Sequence, residues 1–300
     1  MGSTPGVGPD LTGQTWLVTG ATSGVGLATA RAAAHRGARV ILGVRNTGAG
    51  EAVAAQLPDA DVLTIDLASL ASVRHAAGRI PPIDVLVNNA GVLADSRTVT
   101  ADGFELDLAT NLLGPFLLTS LVSEKVRRRI VIVSSAVSVY EDSTLHLDDP
   151  GFDHRPWKRF PAYGESKLAV MLWGAELSRR LTQRASAGDD VPDVQLTYPG
   201  WAATSLSNPT PWKVLDAPMR ALTRLLGQSA EQGALCSMYA ATADLPAGSY
   251  IGPDGPSHLK GRPTLLDRPA MAEDLSQAAK VWEFAERATS GRADDTSRKD

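Results

Sequence analysis

Cysteine is almost absent from this chain of 300 residues, in which Cys236 is the single example. An intramolecular disulfide and an all-thiolate metal site are therefore both excluded. A cytoplasmic location is expected, because disulfides are characteristic of oxidising compartments. Residues 234–238 read Ala-Leu-Cys-Ser-Met, so Cys236 is interpreted as a small core residue rather than a reactive thiol.

A surplus of positive charge is also missing, since 29 Lys and Arg stand against 33 Asp and Glu, for a net charge of −4. Nucleic-acid-binding domains usually carry a basic surplus, so no nucleic-acid partner is expected. The N-terminal residues lack the basic and apolar regions of a signal peptide. Because no run has the roughly 18 apolar residues that a spanning helix needs, no transmembrane segment is expected. The five histidines show no ligand spacing, so no metal is expected.

Short apolar runs alternate with segments of helical periodicity along most of the chain. Strands without polar alternation are buried on both faces, and strand–helix alternation gives a parallel sheet covered by helices. The sequence therefore predicts an α/β fold: one doubly wound Rossmann domain with a seven-stranded parallel sheet and helices on both faces. The predicted strands are residues 15–18, 39–44, 61–65, 83–87, 129–133 and 194–198, with a short edge strand at 250–251. The main helices are predicted at about residues 24–36, 48–57, 69–79, 99–125, 162–185 and 229–242.

The chain shows no linker that would divide it into two domains. Residues 1–10 are rich in Gly and Pro and are expected to be flexible, as is the polar tail at 289–300. Residues 11–288 are predicted to form the single domain. Within it, residues 200–228 combine Trp and Pro with weak periodicity, and they are interpreted as a lid over a substrate.

A glycine-rich turn follows the first predicted strand, where residues 19–26 read Thr-Gly-Ala-Thr-Ser-Gly-Val-Gly. Glycines let the backbone turn tightly and approach a ligand, and the start of the next helix presents free N–H groups to a phosphate. A plain strand-to-helix turn is the alternative, but the position after a first strand favours dinucleotide binding. The residues predicted to bind the cofactor here are Gly20, Ser23, Gly24, Val25 and Gly26.

Arg45 ends the second predicted strand, where an NAD enzyme usually has Asp or Glu for the ribose 2′-hydroxyl. A guanidinium pairs well with a 2′-phosphate. The sequence therefore favours NADP(H) over NAD(H). The alternative is that Arg45 is simply a solvated surface residue.

Tyr163 and Lys167 lie four residues apart and so share one face of a predicted helix. A free phenol has a pKa of about 10, and a neighbouring ammonium is expected to lower it, which makes the pair a tunable general acid and base. Such pairs are often surface residues. Here Ser135 ends the fifth predicted strand and Asn111 lies in Thr-Asn-Leu-Leu-Gly, so chance is a poor explanation, because ligands bind at strand ends of a doubly wound sheet.

Together these motifs, with Asn-Asn-Ala-Gly at residues 88–91, resemble the short-chain dehydrogenase/reductase family over about residues 12–252. The resemblance implies a catalytic tetrad of Asn111, Ser135, Tyr163 and Lys167. In this reading Tyr163 exchanges a proton with the substrate oxygen, and Ser135 holds that oxygen. Lys167 binds the nicotinamide ribose and tunes Tyr163, and Asn111 positions a water on Lys167. Ser134 is expected to be structural.

Further cofactor contacts, and a homodimer or homotetramer, are implied by the same resemblance. Asp66 and Leu67 would contact the adenine. The sequence does not separate Asn88 from Asn89, although a structural Asn88 and a cofactor-facing Asn89 are suggested. The other implied contacts are Ala90 and Gly91 beside the nicotinamide ribose, and Pro199, Gly200, Trp201 and Thr204 at the carboxamide.

The segment between Ser135 and Tyr163 is longer than in the shortest members. It is similar to that of retinol-dehydrogenase-like and protochlorophyllide-reductase-like members, which use bulky lipophilic substrates. Val137, Trp201 and Leu206 are candidate substrate contacts, with core packing as the alternative for such apolar residues. Trp157 and Phe160 are weaker candidates.

The sequence thus predicts an NADP(H)-dependent oxidoreductase that interconverts a lipophilic ketone or aldehyde and the corresponding alcohol. Reduction of a conjugated C=C bond by the same residues is one alternative. A non-catalytic NADP(H) sensor is another, although such proteins usually lose the Tyr or the Lys, and both are present here.

Overall fold

The computed structural model describes residues 8–135, 144–201 and 228–291. Within them eight strands form one sheet in the order β3-β2-β1-β4-β5-β6-β7-β8. The strands are β1 (Thr15–Thr19), β2 (Arg39–Val44), β3 (Ala60–Thr64), β4 (Ile83–Asn88), β5 (Val126–Val133), β6 (Asp193–Thr197), β7 (Tyr250–Pro253) and β8 (Pro263–Leu266).

Helices connect the successive parallel strands, as in a doubly wound fold, and the last helix follows β8. They are α1 (Gly24–Ala34), α2 (Thr47–Ala54), α3 (Leu70–Ala77), α4 (Leu106–Leu108), α5 (Gly114–Val122), α6 (Arg159–Ser186), α7 (Ala230–Thr242) and α8 (Leu275–Thr289). A π-helix, Ala109–Leu113, joins α4 to α5. The predicted helix at 99–125 begins later than expected, because the Glu105 side chain accepts a hydrogen bond from Leu108 N and so starts α4.

The strand order reverses between β1 and β4, which are parallel neighbours. Successive crossovers therefore run outward in opposite directions from this point. A crevice opens there at the carboxyl ends of the strands, which is where ligands bind in folds of this kind.

An eighth strand corrects the predicted seven-stranded parallel sheet. Strand β8 pairs antiparallel with β7, in a register that places Tyr250 opposite Leu266. The connection between them is shorter than the dozen or so residues that a parallel crossover needs, so a hairpin is the available geometry. Strand β7 is consequently not an edge strand. The sequence concealed β8 because it is four residues long and begins at Pro263.

The two faces of the sheet carry separate apolar cores, because alternate strand residues point to opposite sides. One face packs against α3, α5, α6 and α8, where Phe116 and Trp282 meet edge to face at 5.1 Å. The other packs against α1 and α7 through small residues. Cys236 belongs to this second core, is fully buried, and has a thiol pKa raised by burial to about 12.

One described helical stretch, Leu106–Lys125, is long and apolar enough to cross a membrane by length and composition alone, with a mean hydropathy of 1.3. However, 72% of that stretch is buried within the protein. Such burial is typical of a core helix in a globular domain.

Candidate active site

The glycine turn lies between the end of β1 and the start of α1. Gly20 and Gly24 have φ of +69° and +55°, a region that favours glycine. A Cβ on Gly20 would lie 2.9 Å from the Cα of Ala90, so the turn is packed tightly on the loop after β4. In the described structure the side chain of Ser23 makes no capping hydrogen bond at the start of α1. The first N–H groups of α1 are therefore not taken by that side chain.

The two asparagines at the end of β4, Asn88 and Asn89, hold the scaffold together. The Asn89 side chain donates to the carbonyl of Thr19 at 2.9 Å. The backbone N–H groups of Asn89 and Ala90 donate to the Thr19 hydroxyl at 3.0 and 3.1 Å. The Asn88 side chain donates to the hydroxyl of Thr119 on α5 at 2.9 Å. Asn89 thus braces the glycine turn with its amide, and Thr19 is a supporting residue that the sequence analysis missed.

Arg45 follows directly on β2, whose carboxyl end lies beside that of β1. Its side chain is exposed and has no hydrogen bond or ion pair to the described residues. Asp66, after β3, accepts a hydrogen bond from Ala68 N at 3.0 Å. Leu67 is buried, and its carbonyl contacts Gly114. The predicted adenosine-binding residues therefore meet at one edge of the sheet.

Tyr163 and Ser135 are brought together from α6 and from the end of β5. Their side chains are hydrogen bonded, and Tyr163 is only 7% exposed. Lys167 is buried one turn further along α6, with its Nζ donating to Val133 O at 3.3 Å and lying 5.9 Å from the Tyr163 ring centroid. The Ser134 hydroxyl donates to the carbonyl of Lys167 at 3.4 Å, and its backbone N donates to Thr197 O at 2.8 Å.

Asn111 lies in the π-helix and fastens three segments to one another. Its Oδ1 accepts from Val92 N at 2.7 Å, and its Nδ2 donates to Val92 O at 3.0 Å and to Ser166 Oγ at 2.9 Å. A Cβ on Gly91 would lie 3.2 Å from both Asn111 Oδ1 and Lys167 Nζ. All four predicted tetrad residues therefore lie around one point, although Ser166 was not singled out from the sequence.

The pKa of Tyr163 differs from the sequence-based expectation. Burial raises it, the Ser135 hydrogen bond lowers it, and the charge of Asp107 raises it further. Burial also lowers the pKa of Lys167 to about 8, against the opposing effect of Asp107. The expected lowering of the Tyr163 pKa is therefore wrong, because the cost of removing the phenolate from water is the largest contribution. Tyr163 is therefore a protonated phenol at neutral pH.

The loop after β6 is held by a residue that the sequence did not indicate. Gln228 is buried, donates through Nε2 to Pro199 O, and donates through its backbone N to Trp201 O at 2.9 Å. Gly200 has a φ of +72°. Trp201 remains 39% exposed. Three residues predicted to contact the cofactor or the substrate lie outside the described residues: Val137, Thr204 and Leu206. Most of the predicted lid also lies outside them.

The described part of the insert, residues 144–158, is tied to α6. The Arg155 guanidinium pairs with both oxygens of Glu165 and contacts the carbonyl of Asp149. Trp157 donates through Nε1 to Glu105 at 3.2 Å, which supports the packing interpretation for that residue. Phe160 is 61% exposed.

Comparisons with known proteins agree with this geometry. The family model described as short chain dehydrogenase matches residues 14–145. Retinol dehydrogenase 14 of Mus musculus is 34% identical over 95% of this chain and 87% of its own length. Polyprenol dehydrogenase of Mus musculus is 37% identical over 80% of this chain and 74% of its own. A crystal structure of an uncharacterized protein from Mycobacterium paratuberculosis is 36% identical, with a TM-score of 0.81 over 97% of this chain and 98% of that one.

The fold and the relatives define an oxidoreductase that acts on CH–OH groups with a nicotinamide cofactor. The chain belongs to the short-chain dehydrogenase/reductase family. Within it, the similarity to retinol dehydrogenases confirms the subgroup that the long insert indicated.

Proposed function

We propose that this protein is an NADP(H)-dependent enzyme that interconverts a lipophilic ketone or aldehyde and its alcohol. One observation carries the proposal: the Tyr163 and Ser135 side chains are hydrogen bonded beside the buried Lys167, at the carboxyl end of β5. Two hydroxyl groups held together at a strand end are suited to bind one substrate oxygen.

In this mechanism Tyr163 is the general acid of the reduction and the general base of the oxidation. Its protonated phenol donates to the carbonyl oxygen as the alcohol forms, while Ser135 donates a hydrogen bond to the same oxygen. When bound, the nicotinamide ring supplies or accepts the hydride. Lys167, whose pKa is about 8, stabilises the phenolate that remains after proton transfer. Asn111 holds the strand-end loop that borders Lys167.

The residues around the glycine turn fit a dinucleotide with a 2′-phosphate. Gly20 and Gly24 adopt positive φ, and the first N–H groups of a helix such as α1 lack intrahelical partners, which suits a pyrophosphate. Arg45 offers an exposed guanidinium without a partner among the described residues. A cation at this position, rather than an acid, supports NADP(H) as the cofactor.

The relatives and the exposed apolar surface near the site both support a lipophilic substrate. The names of two relatives specify retinol and polyprenol, which are long apolar alcohols. Trp201, in the loop after β6, is partly exposed. We therefore propose a lipophilic substrate that contacts Trp201, together with Val137 and Leu206.

The proposal is tested by Tyr163→Phe, which removes the reactive hydroxyl and keeps the ring. NADPH oxidation with retinaldehyde or another apolar aldehyde should fall by at least about 100-fold in kcat, while NADPH affinity stays within a few-fold. Tyr239→Phe, which removes an exposed hydroxyl on α7, is the matched control and should leave kcat unchanged. Near-normal turnover of Tyr163→Phe would exclude the proposed acid–base role.

A further inference from the structure

Asp107, on α4, is a buried carboxyl group that the tetrad does not include. It is fully buried, and its Oδ1 accepts a hydrogen bond from Ala94 N at 2.8 Å. Its Oδ2 is also buried and has no hydrogen-bond partner in the part of the chain that the structure describes. Because an unsatisfied buried carboxylate is costly, its position calls for an explanation.

Asp107 and Asn111 act on the same short segment, the β4 strap (residues 91–94). Asn111 binds Val92 through both atoms of its amide, and Asp107 binds Ala94 N one turn earlier along the helix. Gly91, at the start of the strap, is flanked by Asn111 and Lys167. Asp107 therefore fixes the far end of the segment that borders Lys167.

Four charged or titratable groups face Asp107. From α6 these are Lys167, Tyr163 and Arg159, and from the start of its own helix it is Glu105. The charge of Arg159 is shared between Asp107 and the exposed Asp95, with which Arg159 forms an ion pair at 2.8 Å. Lys167, in contrast, makes one hydrogen bond within the described residues, to Val133 O. Asp107 is thus the anionic group that acts on the buried ammonium.

We propose that Asp107 is a positioning residue for the Tyr163–Lys167 pair: it fastens the β4 strap and supplies the buried negative charge that holds Lys167 in its ammonium form. The proposal rests on the acid–base role of Tyr163 proposed above. Burial, and to a smaller extent the charge of Glu105, raise the pKa of Asp107 to about 7 against the lowering effects of Ala94 N, Lys167 and Arg159.

The negative charge of Asp107 favours the protonated form of both neighbouring groups. The carboxylate raises the pKa of both Tyr163 and Lys167. Asp107→Asn keeps an oxygen that can accept from Ala94 N but removes the charge. The pKa of Lys167 should then fall, and the loss of its proton should begin at lower pH.

The test compares the pH dependence of kcat/KM for aldehyde reduction in the wild type and in Asp107→Asn. The basic limb of the profile should move to lower pH by about one unit, the size of shift that a neighbouring buried charge produces. The pH dependence of NADPH affinity, measured by fluorescence without substrate, should show the same displacement. Asp95→Asn removes an exposed carboxylate that pairs with Arg159. It should leave the basic limb in place both for kcat/KM and for NADPH affinity.

An unmoved limb in either profile of Asp107→Asn, or an equal shift in Asp95→Asn, overturns the proposal. A merely structural role would lower the rate at every pH without moving a limb. If Asp107→Asn does not fold, as judged by circular dichroism, Asp107→Ser replaces it, because a hydroxyl can also accept from Ala94 N. Tyr163→Phe is measured in the same series. If Tyr163→Phe remains active, the proposed function itself fails. If Tyr163→Phe is inactive but the limbs of Asp107→Asn do not move, only the inference about Asp107 is overturned.

Discussion

At the scale of single residues, burial decides the ionisation of the site. Tyr163 and Lys167 are both almost completely buried, and desolvation penalises whichever form is charged. The phenol is therefore kept protonated, and the ammonium is brought closer to neutrality. A protonated phenol beside an amine that titrates near pH 8 suits a group that gives up a proton and recovers it in each turnover.

Arg45 is the residue on which the cofactor preference depends. Arg45→Asp should lower kcat/KM for NADPH by about tenfold or more, because one charge-assisted pair with a phosphate is lost and a repulsive charge is gained. The ratio of kcat/KM for NADPH to that for NADH is the measurement. Arg127→Asp makes the same charge change at an exposed position at the opposite end of the sheet and should leave the ratio unaltered. An unaltered ratio in Arg45→Asp would remove Arg45 from the phosphate site.

That Asn111, Ser135, Tyr163 and Lys167 lie near one another could be expected from the sequence, because their motifs resemble those of the family; their catalytic roles remain a prediction. The places of Ser166, Asp107 and Gln228 could not be expected, because each acts through a contact between segments distant in the chain. Asn111 reaches Ser166 across 55 positions, for example. The direction of the Tyr163 pKa shift also depended on burial, which a residue pair on a helix does not reveal.

At the scale of elements, close approach between backbones helps to shape the site. The π-helix Ala109–Leu113 places Asn111 toward the β4 strap, and the next residue, Gly114, packs on the loop after β3. Such π-helical insertions are frequent at functional sites. The late start of α4 was missed because it is set by a local hydrogen bond of the Glu105 side chain. The antiparallel β8 was missed because the strand is short and follows a short connection.

Gly114 is the position where this packing is most easily tested. A Cβ there would lie 2.9 Å from the Cβ of Leu67 and nearer still to its carbonyl oxygen. Gly114→Ala should therefore destabilise the protein by about 2 kcal/mol, the range found for overpacking, and should weaken cofactor binding by displacing Leu67. Urea unfolding and NADPH titration provide the two measurements.

Gly48→Ala is the matched control for that substitution. Gly48 lies in α2, and a Cβ there would meet only Asn46 Oδ1, at 3.7 Å. The replacement should stabilise the protein by about 0.5 kcal/mol, because alanine is favoured over glycine in helices. Equal effects of the two substitutions would contradict the proposed close approach at Gly114.

At the scale of the whole molecule, the site joins both halves of the doubly wound sheet. The glycine turn, Arg45 and Asp66 follow β1, β2 and β3, whereas Ser135 and the loop at residues 198–201 follow β5 and β6. A dinucleotide that spans these strand ends would contact both sides of the point where the strand order reverses. Its binding should therefore stabilise the domain proposed for residues 11–288 as one unit.

Thermal unfolding measures this coupling directly. At a concentration of NADPH near 100 times its Kd, the folded state should gain about 2.7 kcal/mol, which corresponds to a rise in Tm of roughly 5–10 °C. One cooperative transition is expected, because both apolar cores share the same sheet.

NADH at the same concentration should give a smaller rise in Tm, and Arg45→Asp should abolish the difference between the two nucleotides. A Tm unaffected by either nucleotide would contradict the proposed dinucleotide site, and two transitions, of which NADPH moved one, would contradict a single domain.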